Sequence, residues 1–208
     1  MKFLRPPAVN SGKFGVLPGT FNPVTKAHLA LAEAALRVLD HVVLVLPRQF
    51  PHKGYSGATF EQRLEMLAQV AENHRQLSVA TSEGGLYWEI ARECRAALGD
   101  ALEVAFVCGR DAAERIVTWD YGSPGAAEAM RREFRLLVAA RGGPYQPPED
   151  WRPSIDVLPL DACFEDVSAT EIRRRAAAGE PWQQLAPAAI HPLIRQIYGT
   201  SRPLLQSR

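Results

Sequence analysis

Short apolar runs alternate along the chain with longer stretches in which apolar residues recur every three or four positions. Residues 13–17 (KFGVL) form a compact apolar run stopped by Pro18-Gly19, as a buried strand would be. Beyond it, Leu29, Ala32, Leu36 and Leu39 share one face at helical spacing. The run 41–47 (HVVLVLP), rich in β-branched residues and ended by Pro47, reads as a strand. Strand, helix and strand in close succession predict a βαβ unit with parallel pairing and a right-handed crossover.

The alternation continues with a helix over 60–73, a strand over 77–81, a helix over 86–98 and a strand over 102–107 that ends at Cys108-Gly109. Further apolar runs lie at 134–140 and 155–158. From Ser168 the tail is helical in two pieces, broken near 179–181 and again at Pro187. The predicted fold class is α/β: a Rossmann-like doubly wound parallel sheet with a small C-terminal helical part. Residues 1–12, with Pro6, Pro7, Asn10, Ser11 and Gly12, read as a loose N-terminal leader, and 13–208 as a single domain. Residues 141–153, rich in Gly, Pro and acid, read as a surface loop. There is no internal repeat and no low-complexity segment.

Composition narrows this picture only a little. The 208 residues carry a formal net charge of +1, so no bulk attraction to nucleic acid or membrane is expected and any anion affinity must be local. Cys94, Cys108 and Cys163 are too few and too scattered for a disulfide framework or a zinc site, and read as buried small apolar residues. The first residues lack the apolar core of a signal peptide, and no stretch approaches the roughly 18 apolar residues of a membrane span. The expected location is the cytoplasm.

In doubly wound sheets, ligands bind at the carboxyl ends of the strands. The unusual residues fall there: Gly19, Thr20, Asn22, Thr25 and His28 after the first strand, His52 and Lys53 after the second, and Gly109, Arg110 and Asp111 after the run 102–107. Neither GxxxxGK[ST] nor a GxGxxG following the first strand occurs, so a P-loop and the dinucleotide fingerprint are both excluded. Gly19 allows a backbone turn to approach a ligand. Thr25 and His28, at i and i+3 on a helix start, can face one point where free amides and the helix dipole favour an anion. Ser168 or Thr170 can cap a later helix with Arg173 one turn inside it, a second place where hydroxyl, amide and guanidinium converge on an anion.

These segments resemble the nucleotidyltransferases with an HxGH-type motif, and most closely the nicotinate/nicotinamide mononucleotide adenylyltransferases. The opening signature is similar to Gly19-Thr20-Phe21-Asn22-Pro23-Val24-Thr25-Lys26-Ala27-His28, and the late one to Val167-Ser168-Ala169-Thr170-Glu171-Ile172-Arg173. Phe50-Pro51-His52-Lys53 resembles the family's P-P-H-K segment, Gly109-Arg110-Asp111 its G-x-D, and Thr118-Trp119 its T-W pair. The resemblance runs from Lys13 to Tyr198.

It implies adenylyl transfer from ATP, with Mg²⁺, to nicotinate or nicotinamide mononucleotide, releasing pyrophosphate in NAD biosynthesis. His28, Thr25, Lys53 and Arg173 would be catalytic; Gly19, Thr20, Phe21, Asn22, Gly109, Asp111, Ser168 and Thr170 would bind ATP. Trp119 and Tyr87 would bind the acceptor, and no protein metal ligand is expected. Arg63 is expected to support packing or a loop. A homo-oligomer is left open. The chain departs from the family at Pro18, Thr25 and Ala27, and most at Glu83-Gly84-Gly85-Leu86-Tyr87-Trp88-Glu89-Ile90, where nicotinate-specific bacterial members carry an S-Y-T-V-D-T-like segment. That departure leaves the acceptor open to phosphopantetheine or a small alcohol phosphate, the donor to CTP, and the whole to a nucleotide-binding module without catalysis.

Overall fold

The computed structural model describes residues 1–7, 12–49, 57–99, 103–119, 125–139, 145–159, 164 and 166–199. Among these residues, seven strands form one sheet: β1 (Lys2–Arg5), β2 (Lys13–Pro18), β3 (His41–Pro47), β4 (Leu77–Ser82), β5 (Glu103–Gly109), β6 (Arg135–Ala139) and β7 (Ile155–Leu158). Their order is β1-β4-β3-β2-β5-β6-β7, and every pairing is parallel except β1 with β4. The helices are α1 (Lys26–Ala35), α2 (Phe60–Glu72), α3 (Tyr87–Leu98), α4 (Arg110–Thr118), α5 (Ala126–Glu133), α6 (Ala169–Ala178) and α7 (His191–Tyr198). Sequence and structure agree on a doubly wound α/β architecture.

The strands read as continuous apolar runs because helices cover both faces. In β3 all residues are buried, and alternate side chains enter different cores. Val42, Leu44 and Leu46 pack with α1, α2, α6 and α7, while Val43 and Val45 pack with α3, α4 and α5. Each such side chain contributes about 1.5–3 kcal/mol by leaving water, so the sheet serves as a rigid platform for whatever its loops carry. His41, at the start of β3, is buried and hydrogen-bonds through Nε2 to the Ser78 hydroxyl at 2.7 Å. Burial, and then the Arg5 charge, push its pKa below the ordinary histidine value.

Two sequence expectations are corrected. Within the supposed leader, Lys2–Arg5 form an edge strand antiparallel to β4, with Phe3 opposite Ala80 and turned toward the core. Four residues are too short a run to show an alternation against flanking Pro6 and Pro7, which then end the strand by withholding amides. Within the supposed surface loop, Glu149–Ser154 wind into a 3-10 turn that buries Trp151 beneath the Arg131 guanidinium, 5.3 Å from the ring centre. A large apolar area overrode the loop-like composition around it.

From β2 the chain runs through α1 to β3 on one side, whereas β5, the neighbour on the other side, is reached only after β4 and α3. The connections therefore diverge above the carboxyl ends of β2 and β5, which opens a crevice there.

Candidate active site

The loop that leaves β2 is fixed by its own side chains. Gly19 donates its amide to the Val45 carbonyl of β3 at 3.1 Å. Phe21 then takes a positive φ of 44°, a conformation a bulky residue adopts only under strong tertiary constraint. Its ring is fully buried beneath Gly19, where an added Cβ would come within 2.8 Å of the ring. The small residue at 19 thus makes room for Phe21 rather than for a ligand. The Phe21 ring also meets the His28 imidazole edge-on, with centroids 5.1 Å apart. Its side chain orients a site residue and is not itself exposed to nucleotide.

Thr25 caps α1 in a capping box. Its Oγ1 accepts from the His28 amide at 3.3 Å, and its own amide donates to His28 Nδ1 at 2.9 Å. Oγ1 lies 2.9 Å from the same Nδ1 and can donate its hydroxyl proton there while accepting from the amide. With Nδ1 an acceptor, this network assigns the ring proton to Nε2. The box therefore sets the tautomer, with the ring N–H on Nε2, at the positive end of α1, whose first turn carries no acidic residue.

Asn22 is the junction of the site. It is only 8% exposed, and its Oδ1 accepts from the Tyr198 hydroxyl at 2.6 Å and the Ala58 amide at 3.3 Å. Its carbonyl accepts from Arg173 Nη1 at 2.6 Å. Burial pushes the Tyr198 pKa up to about 12, although the nearby Arg173 and Arg63 charges pull it back, so the phenol stays a donor at neutral pH. The Asn22 side chain, expected on ATP, instead holds three parts of the molecule together. Arg173 also donates through Nη2 to Thr170 Oγ1 at 3.3 Å, and Ser168 caps α6 by accepting from the Glu171 amide at 3.1 Å. Arg63, buried, donates to the Thr20 carbonyl at 3.1 Å and so supports the loop as expected.

Thus Gly19, Thr20, Phe21, Asn22, Thr25 and His28 share one loop and helix start, to which Arg173 is tied directly and Thr170 through Arg173. Gly109 and Asp111 stand at the adjacent strand end: Gly109 closes β5 and precedes α4 with no side chain to cover the first amides, and Asp111 is exposed in that first turn. Lys53, like His52 and Cys163, lies outside the described residues. Two expected acceptor residues are placed differently. The Tyr87 ring, half-buried at the start of α3, packs against the core, 4.6 Å from Phe106 and 6.5 Å from Phe134. Trp119 is 43% exposed at the end of α4 opposite to Asp111. Sequence reasoning missed Tyr198, which carries no local signal, being a tyrosine on one face of an ordinary amphipathic helix. Cys94 and Cys108 are buried as expected, and burial pushes their thiols up to about 11 and about 12, the first despite the nearby Arg95 charge. No helix among the described residues is long and apolar enough to cross a membrane.

An imidazole held by its helix cap and a guanidinium anchored on the same loop, at the switch point of a doubly wound sheet, define an α/β protein with a candidate site at a helix N-terminus. Residues 16–175 match the cytidylyltransferase-like family, and the chain belongs to it. It is 33% identical to a protein of Marinobacter nauticus named "Probable nicotinate-nucleotide adenylyltransferase", across 89% of this chain and 96% of that one. A protein of the same name from Chromobacterium violaceum is 32% identical, with 89% and 97% covered. The fold is similar to that of the Plasmodium falciparum nicotinic acid mononucleotide adenylyltransferase complexed with NaAD, with a TM-score of 0.63 at 16% identity over 88% and 93% of the two chains.

Proposed function

We propose that this protein transfers AMP from ATP to nicotinate or nicotinamide mononucleotide, releasing pyrophosphate, as a step of NAD biosynthesis. The observation that carries the reading is the Thr25–His28 capping box, which fixes the imidazole and puts its proton on Nε2 at the α1 N-terminus, on the same loop whose Asn22 carbonyl anchors Arg173. The relatives' names supply the acceptor class.

The acceptor's phosphate oxygen is already anionic, so attack on the α-phosphorus needs no general base. What the residues supply is positioning and charge stabilisation. His28 Nε2–H donates to a triphosphate oxygen, Arg173 neutralises charge as pyrophosphate leaves, and Lys53 adds a cation from the segment after β3. Asp111 accepts from the adenosine ribose, and the amides at the start of α4 and α6 face the nucleotide. Mg²⁺ would accompany the triphosphate and supply neutralisation of its charge; the donors of this loop, N–H groups and guanidinium, suit the phosphate rather than the metal. Trp119 offers a flat exposed face to a pyridine ring. The buried free thiols fit a reducing compartment, and the cytoplasm is the proposed location.

Pyrophosphate release with Mg²⁺ and ATP, measured in parallel with nicotinate mononucleotide, nicotinamide mononucleotide and phosphopantetheine, tests this reading. Turnover with a pyridine nucleotide is expected. Turnover with phosphopantetheine alone, or with none of the three while ATP still binds, would overturn it.

A further inference from the structure

At the carboxyl end of β4 the chain turns into α3 through Glu83, Gly84, Gly85 and Leu86, where the sequence departs most from its family. In this turn four successive amides are already engaged. The Glu83 amide donates to Glu93 at 3.0 and 3.2 Å, and the Gly84 amide to Glu93 Oε1 at 2.9 Å. The Gly85 and Leu86 amides donate to Glu89 Oε2 at 3.0 and 2.9 Å. Gly84 permits this wrap, since an added Cβ would meet Glu89 atoms within 2.5–2.9 Å. A row of amides that could otherwise receive an acceptor's negative charge is thus filled by the protein's own carboxylates.

Two cations meet this turn: the Met1 ammonium pairs with Glu93 at 2.9 Å, and Arg48, one residue beyond β3, reaches Glu83. The Arg48 amide donates to the Ser82 carbonyl at 2.8 Å, and its Nε pairs with Glu83 Oε1 at 3.1 Å. Its guanidinium lies over the Phe60 ring, 4.8 Å from the centre. Arg63 lies by the same ring at 5.9 Å and reaches the Thr20 carbonyl, so Arg48 stands one aromatic ring away from the nucleotide loop. The Arg48 side chain is 47% exposed, and its terminal amino groups hydrogen-bond to none of the described residues. Stacking and the single ion pair hold the planar fork in place with two donor groups left to offer. Phosphate donors are already gathered at His28 and Arg173, so the charge left for Arg48 is that of the acceptor's ring.

We infer that Arg48 is a specificity-determining residue that recognises a carboxylate on the acceptor's pyridine ring, so that the enzyme prefers the acid mononucleotide to its amide. Glu83 competes for the same guanidinium and moderates that preference. This rests on the adenylyl-transfer reading above.

The test compares kcat/KM for nicotinate and nicotinamide mononucleotide in the full chain and in its Arg48→Gln and Glu83→Gln variants, with thermal melts alongside. The unaltered protein is expected to prefer the acid. Arg48→Gln should lower the acid-to-amide ratio roughly tenfold, the scale of one hydrogen bond to a charged group, and Glu83→Gln should raise it by about threefold, as for an exposed ion pair. A ratio unchanged in Arg48→Gln, equal losses on both acceptors, or an amide preference in the unaltered protein would each overturn the role of Arg48 alone. Absence of turnover with either pyridine nucleotide would overturn the adenylyl-transfer reading, and the role of Arg48 with it.

Discussion

The turns leaving β2 and β4 lie on the same edge of one sheet, and each opens a helix, yet they treat negative charge in opposite ways. In the first, capping is done by Thr25 and His28, neutral groups that keep the helix end positive. In the second, Glu89 and Glu93 wrap the leading amides, and the positive end is cancelled from within. In these two turns the capping groups make the difference: no first-turn residue of α1 is acidic, whereas Glu89 in the first turn of α3 accepts from the leading amides.

Removing the His28 imidazole should have the largest effect. His28→Ala is expected to lower turnover by roughly a hundredfold or more, the scale of one preorganised charge-stabilising donor, while the melt stays cooperative; steady-state pyrophosphate release checks it, and near-normal rates would equate the two turns. Tyr198→Phe keeps the ring but removes the 2.6 Å hydrogen bond to Asn22, and should cost about 1 kcal/mol in urea unfolding. Its turnover should fall while KM for the acceptor holds, because the loosened part is the nucleotide loop. Glu89→Ala uncaps the Gly85 and Leu86 amides and should cost somewhat under 1 kcal/mol. If the comparison is sound, this variant acquires a weak affinity for inorganic phosphate, detectable by calorimetry and absent in the unaltered protein.

The smallest effect is a control at the opposite edge of the sheet. His41 has a pKa depressed in the folded state, so the unfolded chain binds the proton more readily. The stability it contributes is complete above the unfolded value of 6.5 and is lost as pH falls through that value toward the lower folded one. Urea midpoints should thus decline below about pH 6.5 in the native protein and less so in His41→Gln, with neither turn involved.

Much of this architecture was legible in the chain because strands buried on both faces leave unbroken apolar runs such as 41–47, and because the capping box is local, with Thr25 and His28 three positions apart. Arg173 was legible through its motif, but its anchor on the Asn22 carbonyl spans 151 residues and follows only from the topology. Asn22 itself was expected on ATP because its position in the motif says nothing of Tyr198. Tyr87 was expected on the acceptor because an aromatic residue at a helix start reads the same whether its ring faces a ligand or, as here, Phe106. Arg48 gave no signal at all, since its meaning depends on which neighbouring amides are already occupied.

The hydrogen bond between Asn22 and Tyr198 joins positions 176 residues apart. During synthesis the nucleotide loop leaves the ribosome long before the helix that pins it, and closing so long a loop is an entropically costly, late event. Helices and neighbouring parallel strands can form while Arg173 and Tyr198 are still undelivered, so competence to hold a triphosphate arrives near the end of folding, not with its first compact state. A nascent or stalled chain would have most of its secondary structure and little of its affinity for nucleotide, which keeps a half-made enzyme from engaging ATP.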